Sequence, residues 1–302
     1  MLPPRPGLEH PAAGHPPPKA VGLVVHGGRT EAIRAAAHAA ALLRSTGIDV
    51  VGSLADGWPE GTRDVELRQP AEFGQGLDVV IVFGGDGTFL RAAYLARDCG
   101  VPLLGVNLGR LGFLSEVEAG QVPHAVAEIV AGRFEVEERM TLTVAIHDAD
   151  GALVGTSWAL NEASVERTVP QRLIVLEVRV GEVIFAHVPA DAVICATPTG
   201  STAYAFSAGG PILSPRVDAI LLVPVAPHSL FARTLVVDPR EALSLRPVGG
   251  DNECVVTCDG RETLPVPPGG QVRVGRAGSP VRLARLGPFD FYERVRDKFG
   301  LR

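Results

Sequence analysis

Lysine is nearly absent from this chain of 302 residues: only Lys19 and Lys298 stand among its 28 basic residues. Neither lies in a glycine-rich turn. That excludes the phosphate loops that grip a nucleotide with lysine, and the protein-kinase pattern with its strand lysine. Phosphate chemistry here must rest on backbone N–H groups, arginine and metal. Cysteine is scarce as well. Cys99, Cys195, Cys254 and Cys258 have no zinc spacing. Cys254 and Cys258 lie too far apart to bridge if their segment is extended. All four read as buried thiols of a reducing compartment. No apolar run is long enough to span a membrane. No basic run stands out, and a net charge of −6 argues against a nucleic-acid partner. No histidine accompanies a serine in a nucleophile elbow, so no catalytic triad is indicated. The first 18 residues hold seven prolines and no hydrophobic stretch, the composition of a disordered tail rather than a signal peptide. The expectation is a soluble, cytoplasmic protein without membrane or nucleic-acid partners.

What is present centres on VVIVFGGDGTFLRAAYLA, residues 79–96. Five apolar residues, Val79 to Phe83, run unbroken, as in a strand buried on both faces. Gly84-Gly85-Asp86-Gly87 forms a turn, and Thr88 is placed to cap a helix whose face is Phe89, Ala92, Ala93 and Ala96. A helix N-terminus leaves N–H groups unpaired and favours an anion, and glycine lets a phosphate approach the backbone. Asp86 is the anomaly, since a carboxylate repels phosphate unless a metal ion or substrate hydroxyl stands between them. A tight turn with Asp86 as helix cap is the plainer alternative. The dinucleotide fingerprint is excluded, because Leu90 stands where its third glycine belongs.

Alternation organises the first half. Val21–His26 reads as a strand, Thr30–Leu43 as a helix, Ile48–Val51 and Pro102–Val106 as strands, and Gln121–Phe134 as a helix. Apolar strands alternating with helices imply a parallel, doubly wound sheet, with ligands beyond the carboxyl ends of its strands. After Phe134 the pattern becomes that of a mostly antiparallel β domain rich in Val, Thr and Arg, as in RLIVLEVRV (172–180). The expected division is a tail over 1–19, an α/β domain over 20–134, a β domain over 135–286, and a helix over 287–302 that packs back on the first domain.

Other constellations remain open between a ligand site and plain structure. GVNLGRLGFLSE (105–116) carries three glycines around Asn107 and Arg110, and also suits a connection between domains. Asn161 beside Glu162 suits a nucleoside: the amide matches base or ribose groups and the carboxylate accepts from hydroxyls. ADAVICATPTGSTAYAFSAGGP (190–211) runs an apolar strand into a loop dense in hydroxyls. Such a loop donates to phosphates or sugars, or closes a serine/threonine turn. Asp191 precedes that strand. Cys258-Asp259-Gly260 with Arg261 reads as a further turn or a plain hairpin, and His26 either lines a cleft or is structural.

In this order and spacing, GGDGTFLRA, GVNLGRLGFL, LNE and TPTGSTAY resemble the NAD kinase family. The glycine turn alone is shared with lipid kinases and phosphofructokinases. The resemblance implies an α/β domain, a β domain and a nucleotide cleft between them. It implies phosphorylation of the 2′-hydroxyl of the adenosine ribose of NAD to give NADP, with ATP or inorganic polyphosphate as donor and Mg²⁺ or another divalent metal. It also implies a homo-oligomer, dimer or tetramer. By motif, Asp86 takes the role of general base and Gly87 lies beside it on the ligand. Arg91 stands near the nucleotide, Asn161 and Glu162 clamp the adenosine, and Asp191 is another NAD contact. Thr202, Tyr204 and Ser207 form the hydroxyl wall of the pocket, and Arg172 matches a basic position loosely. Alanines flank Asp191 where the family often has glycines, and Arg167 receives no role. A lipid kinase and a non-catalytic NAD-binding sensor are the alternatives.

Overall fold

The computed structural model describes residues 14–59, 64–109, 112–168, 173–229, 232–249, 253–261 and 263–301. The chain divides into two compact units, Met1–Glu138 with Arg282–Arg302, and Arg139–Val281. The α-helices are α1 (Thr30–Ser45), α2 (Asp86–Ala96), α3 (Val122–Val130), α4 (Tyr204–Ser207) and α5 (Phe291–Phe299).

The first unit is built on one sheet. Its strands run in the order Glu66–Arg68, Asp49–Ser53, Ala20–Val25, Val79–Phe83, Pro102–Asn107, Val281–Arg285 and Glu135–Arg139. The pairings from Glu66–Arg68 through to Val281–Arg285 are parallel. Val79–Phe83 lies inside the sheet with all five residues buried. At about 2 kcal/mol per large apolar side chain, that burial explains why the run contains no polar residue. In α1 the buried residues are Ala32, Ala36, Ala39, Ala40 and Leu43, one stripe at helical spacing. The helix stops at Thr46, before Gly47 with φ +82°.

Local structure departs from expectation at four places. Helix α2 begins at Asp86 rather than after Thr88. Gly85 is its N-cap, and Thr88 is buried within the first turn. Helix α3 is shorter than 121–134, because the chain reverses at Gly132 with φ +67°. Of the proline-rich tail, residues 1–13 lie outside the described residues, while its last part is seated on the unit. His15 stacks on Phe134 at 4.3 Å, and its N–H donates to the Gly132 carbonyl at 2.9 Å. Finally, Glu135–Arg139 and Val281–Arg285 belong to the α/β sheet, so the chain re-enters the first unit at Arg282. A β-branched run announces a strand but not which sheet it joins.

The second unit stacks hydrophobic faces of two six-stranded antiparallel sheets. One runs Leu235–Val237, Ile220–Val225, Ala192–Ala196, Glu162–Arg167, Cys254–Cys258, Thr263–Val266. The other runs Val183–Ala190, Ile174–Val180, Leu243–Pro247, Gln271–Arg276, Leu142–His147, Leu153–Ala159. Leu142, Val165, Leu176, Val193, Leu222 and Val256 meet in its core. The cysteines are free thiols. Cys195, Cys254 and Cys258 are buried, but Cys99 is exposed, in the turn that follows α2. Burial pushes the Cys195 thiol up to about 12. Among the described residues no helix is long and apolar enough to cross a membrane.

Candidate functional site

In the first unit the site grows from the N-terminus of α2. Gly85 and Gly87, with Thr88, form one wall of a cavity of about 430 Å³, completed by His26, Gly27, Arg29 and Arg91. Backbone N–H groups of a helix start and two guanidinium groups make this lining suited to an anion. The Asp86 carboxylate turns elsewhere. Its Oδ2 accepts from Phe113 N–H at 3.0 Å and its Oδ1 from Leu114 N–H at 3.1 Å. Gly112 lies so close that a Cβ there would come within 2.0 Å of Oδ1. The plainer alternative, Asp86 as a helix cap, is set aside, since Gly85 holds that position and makes no side-chain cap bond.

Arg91 is fixed rather than loose. Its Nη1 lies 2.9 Å from Asp56 Oδ1, and its Nη2 donates to the Val25 carbonyl at 2.6 Å. Asp56 is fully buried, and its Oδ2 accepts from Val25 N–H at 2.7 Å. Burial pushes its carboxyl up to about 6 against the opposing pull of the Arg91 charge. Asp56 thus aims Arg91 at the cavity. His26 lines the cavity too, and its Nδ1 accepts from Gly28 N–H at 3.2 Å. Arg110 lies outside the described residues.

The second unit holds the Asn161–Glu162 pair. Asn161 precedes the strand that Glu162 begins. Glu162 receives the Tyr204 N–H on its carboxylate, while its Oε2 is buried and unpartnered. Burial, reinforced by the nearby Asp259 charge, pushes the Glu162 carboxyl up to about 8. A buried polar atom left without a partner costs about 1–3 kcal/mol, and a hydrogen bond to a ligand hydroxyl relieves that cost.

Around Glu162 the structure gathers several of the expected residues. Tyr204 opens α4, and burial with the charges of Glu166, Asp191 and Glu162 holds its hydroxyl above the ordinary range. Asp191 pairs with Arg167 at 3.2 Å, which gives a partner to an arginine without a role in the sequence reading. The hydroxyl-rich loop serves itself more than expected. Thr197 Oγ1 donates to the Leu160 carbonyl at 2.6 Å, and Ser201 Oγ donates to the Pro198 carbonyl at 2.6 Å. Thr202 donates to the Thr199 carbonyl at 3.3 Å and remains half-buried. Tyr204 and Ser207 are the exposed hydroxyl-bearing residues of this segment. Arg172 lies outside the described residues.

Sequence reasoning missed Asp56 and left Asp259 undecided. Asp259 sits at φ +50°, and its carboxylate accepts from the N–H groups of Leu160 at 2.8 Å, Asn161 at 2.8 Å and Glu162 at 3.1 Å. It fixes the backbone on which the Asn–Glu pair stands. Like Asp86, both stand immediately before a glycine, the one local signal they share.

Among the described residues no group of three His, Cys, Asp or Glu side chains is arranged to hold a metal ion. The residues therefore do not fit a resident metal centre.

Comparison with known proteins gives a consistent result. The family model described as the ATP-NAD kinase N-terminal domain matches residues 21–134, and that of the ATP-NAD kinase C-terminal domain matches residues 160–286. NAD kinase 2 of Streptomyces avermitilis is 44% identical over 287 residues, covering 94% of this chain and 95% of the relative. Among solved structures, yeast NADH kinase complexed with NADH superposes with a TM-score of 0.83 at 22% identity, over 94% of this chain and 88% of that one. At that identity it speaks for the fold alone. An NAD kinase from Archaeoglobus fulgidus in complex with ATP gives a TM-score of 0.68 at 27% identity, over 93% of this chain and 97% of that one.

Proposed function

We propose the following activity for this chain, which belongs to the NAD kinase family: it phosphorylates the 2′-hydroxyl of the adenosine ribose of NAD to give NADP. The donor is ATP or inorganic polyphosphate, and the divalent ion, Mg²⁺ or a similar metal, enters with the donor phosphates. The chain works as a homo-oligomer in the cytoplasm, as the family resemblance implies.

The observation that carries this reading is the divided N-terminus of α2. Gly85 and Gly87 face a cavity with Arg29 and Arg91, while the Asp86 carboxylate turns to the loop at Gly112–Leu114. The anion-suited surface and the carboxylate thus share one helix start without meeting. That resolves the repulsion a carboxylate in a phosphate turn otherwise brings. The arrangement suits a donor phosphate on one side and a hydroxyl nucleophile on the other.

In the transfer, the ribose oxygen forms a bond to the phosphorus as the bond to the leaving phosphate oxygen breaks. The hydroxyl proton passes to Asp86. Arg29 and Arg91 neutralise charge on the donor, which is most of what phosphoryl transfer asks of a protein. Removal of the proton in the transition state makes an otherwise poor nucleophile effective. Asn161 and Glu162 hold the adenosine moiety, the unpartnered Oε2 hydrogen-bonding a ribose hydroxyl, with Asp191, Thr202, Tyr204 and Ser207 beside them.

The test is incubation of purified protein with NAD, Mg²⁺ and each donor in turn, followed by assay for NADP. NADP is the expected product. Phosphorylation of a lipid with no NADP formed would transfer the chain to the lipid-kinase reading.

A further inference from the structure

The last helix, α5, bears on the Asp86 loop through specific contacts. It is capped by Asp290, whose carboxylate accepts from the N–H groups of Tyr292 and Glu293, and it contains no buried residue. A polar helix with so little burial contributes little to the core, so what it touches matters more than what it hides. Two of its rings, Phe291 and Phe299, lie 6.3 Å and 6.2 Å from the ring of Phe113, both tilted. Between them along the helix, Arg294 Nη1 donates to the Gly112 carbonyl at 3.3 Å. Arg294 also lies over the Phe289 ring at 5.5 Å. The charged groups that face it are Arg285, Glu116, Asp86 and Asp297.

The two residues that α5 grips are the ones that position Asp86. Gly112 packs against the carboxylate, and the Phe113 N–H donates to Oδ2 at 3.0 Å. We infer that α5 is a positioning element of the reaction: Phe291, Phe299 and Arg294 hold the loop at residues 112–114, and so fix the direction in which Asp86 presents its carboxylate. This inference rests on the reading of Asp86 as the base. The physical ground is that a loop amide tethers a carboxylate only as well as the loop itself is tethered. A displacement of about 1 Å at a reacting group costs on the order of a hundred-fold in rate.

The test compares Arg294→Ala, Arg294→Lys and Phe299→Ala with the unaltered protein, using steady-state kinetics and amide exchange at Phe113 and Leu114. Because no residue of α5 is fully buried, these variants are expected to fold, which a melting curve checks. In Arg294→Ala the expected result is a fall in kcat of roughly ten-fold, with KM for NAD changed less than two-fold and faster exchange at both amides. Arg294→Lys, which keeps a donor for the Gly112 carbonyl, restores most of kcat, and Phe299→Ala behaves like Arg294→Ala. Unchanged exchange in both alanine variants overturns the clamp. Faster exchange with unchanged kcat overturns its link to the chemistry. Asp86→Asn, run alongside, separates the two readings: near-normal turnover there removes the base, while the exchange data still decide the clamp.

Discussion

At the scale of single residues, three aspartates before glycine do three different jobs. Asp86 faces a loop, Asp56 orients an arginine, and Asp259 organises a turn. For Asp86 the structure changes what a conservative substitution reads. Asn accepts through only one atom, so Asp86→Asn leaves a side-chain NH₂ facing Phe113 N–H or Leu114 N–H. We expect turnover to fall by roughly 10²–10⁴, the usual share of a general base, with a further loss of about 1–3 kcal/mol of stability from the mismatched amide. Denaturant unfolding beside kinetics checks both, and intact turnover would leave Asp86 a purely structural role. Glu162 makes a second prediction, about pH. Its carboxyl is raised from 4.5 to about 8, so between those values the folded chain keeps a proton that the unfolded chain has lost. Its contribution is therefore fully present below about pH 4.5 and is lost as pH rises through about 8. Glu162→Gln removes that dependence. The melting temperature of the wild type should fall relative to the variant from pH 5 to 8.5, and a constant offset would contradict the shift.

At the scale of elements, the turn at Leu160–Glu162 depends on one distant side chain. Asp259→Ala orphans three backbone N–H groups at once and is expected to cost on the order of 3 kcal/mol, together with weaker NAD binding. Chemical denaturation and calorimetry measure the two effects. A stability loss under about 1 kcal/mol would show that water replaces the carboxylate there. Gly200 serves the same turn from the other side. A Cβ at Gly200 would lie 2.1 Å from the Asn161 carbonyl oxygen, so glycine is needed for close approach rather than for a turn. Helix α2 shows the related lesson for helix starts. Thr88 has the chemistry of a cap, yet the strand Val79–Phe83 delivers the chain so that Gly85 occupies the position.

At the scale of the whole molecule, each unit has its own large hydrophobic core, one around Val21, Ile81 and Ile129, the other around Leu142, Val165 and Leu176. A ligand that binds only the folded chain stabilises it by mass action, about 2.7 kcal/mol at a hundred times its dissociation constant. NAD should accordingly raise the melting temperature of the wild type in a concentration-dependent way and do so less in Glu162→Ala. A melting temperature indifferent to NAD in the wild type would argue against the nucleoside pocket.

The sequence by itself determined what is local. Five consecutive apolar residues make Val79–Phe83 a buried strand wherever the chain goes, and alanines at helical spacing make α1. The four motifs announce the family because their residues lie close together along the chain. Tertiary structure alone decided what each side chain faces. Asp259 meets Asn161 across 98 positions, and Arg294 meets Gly112 across 182. No periodicity or spacing encodes those meetings. They follow from which strands pair, and Val281–Arg285, by joining Pro102–Asn107, brings the chain back to the unit where α5 reaches the Asp86 loop. A hydrogen bond has a range of about 3 Å in space and none along the sequence, so the pattern that specifies an element says nothing of its distant partner.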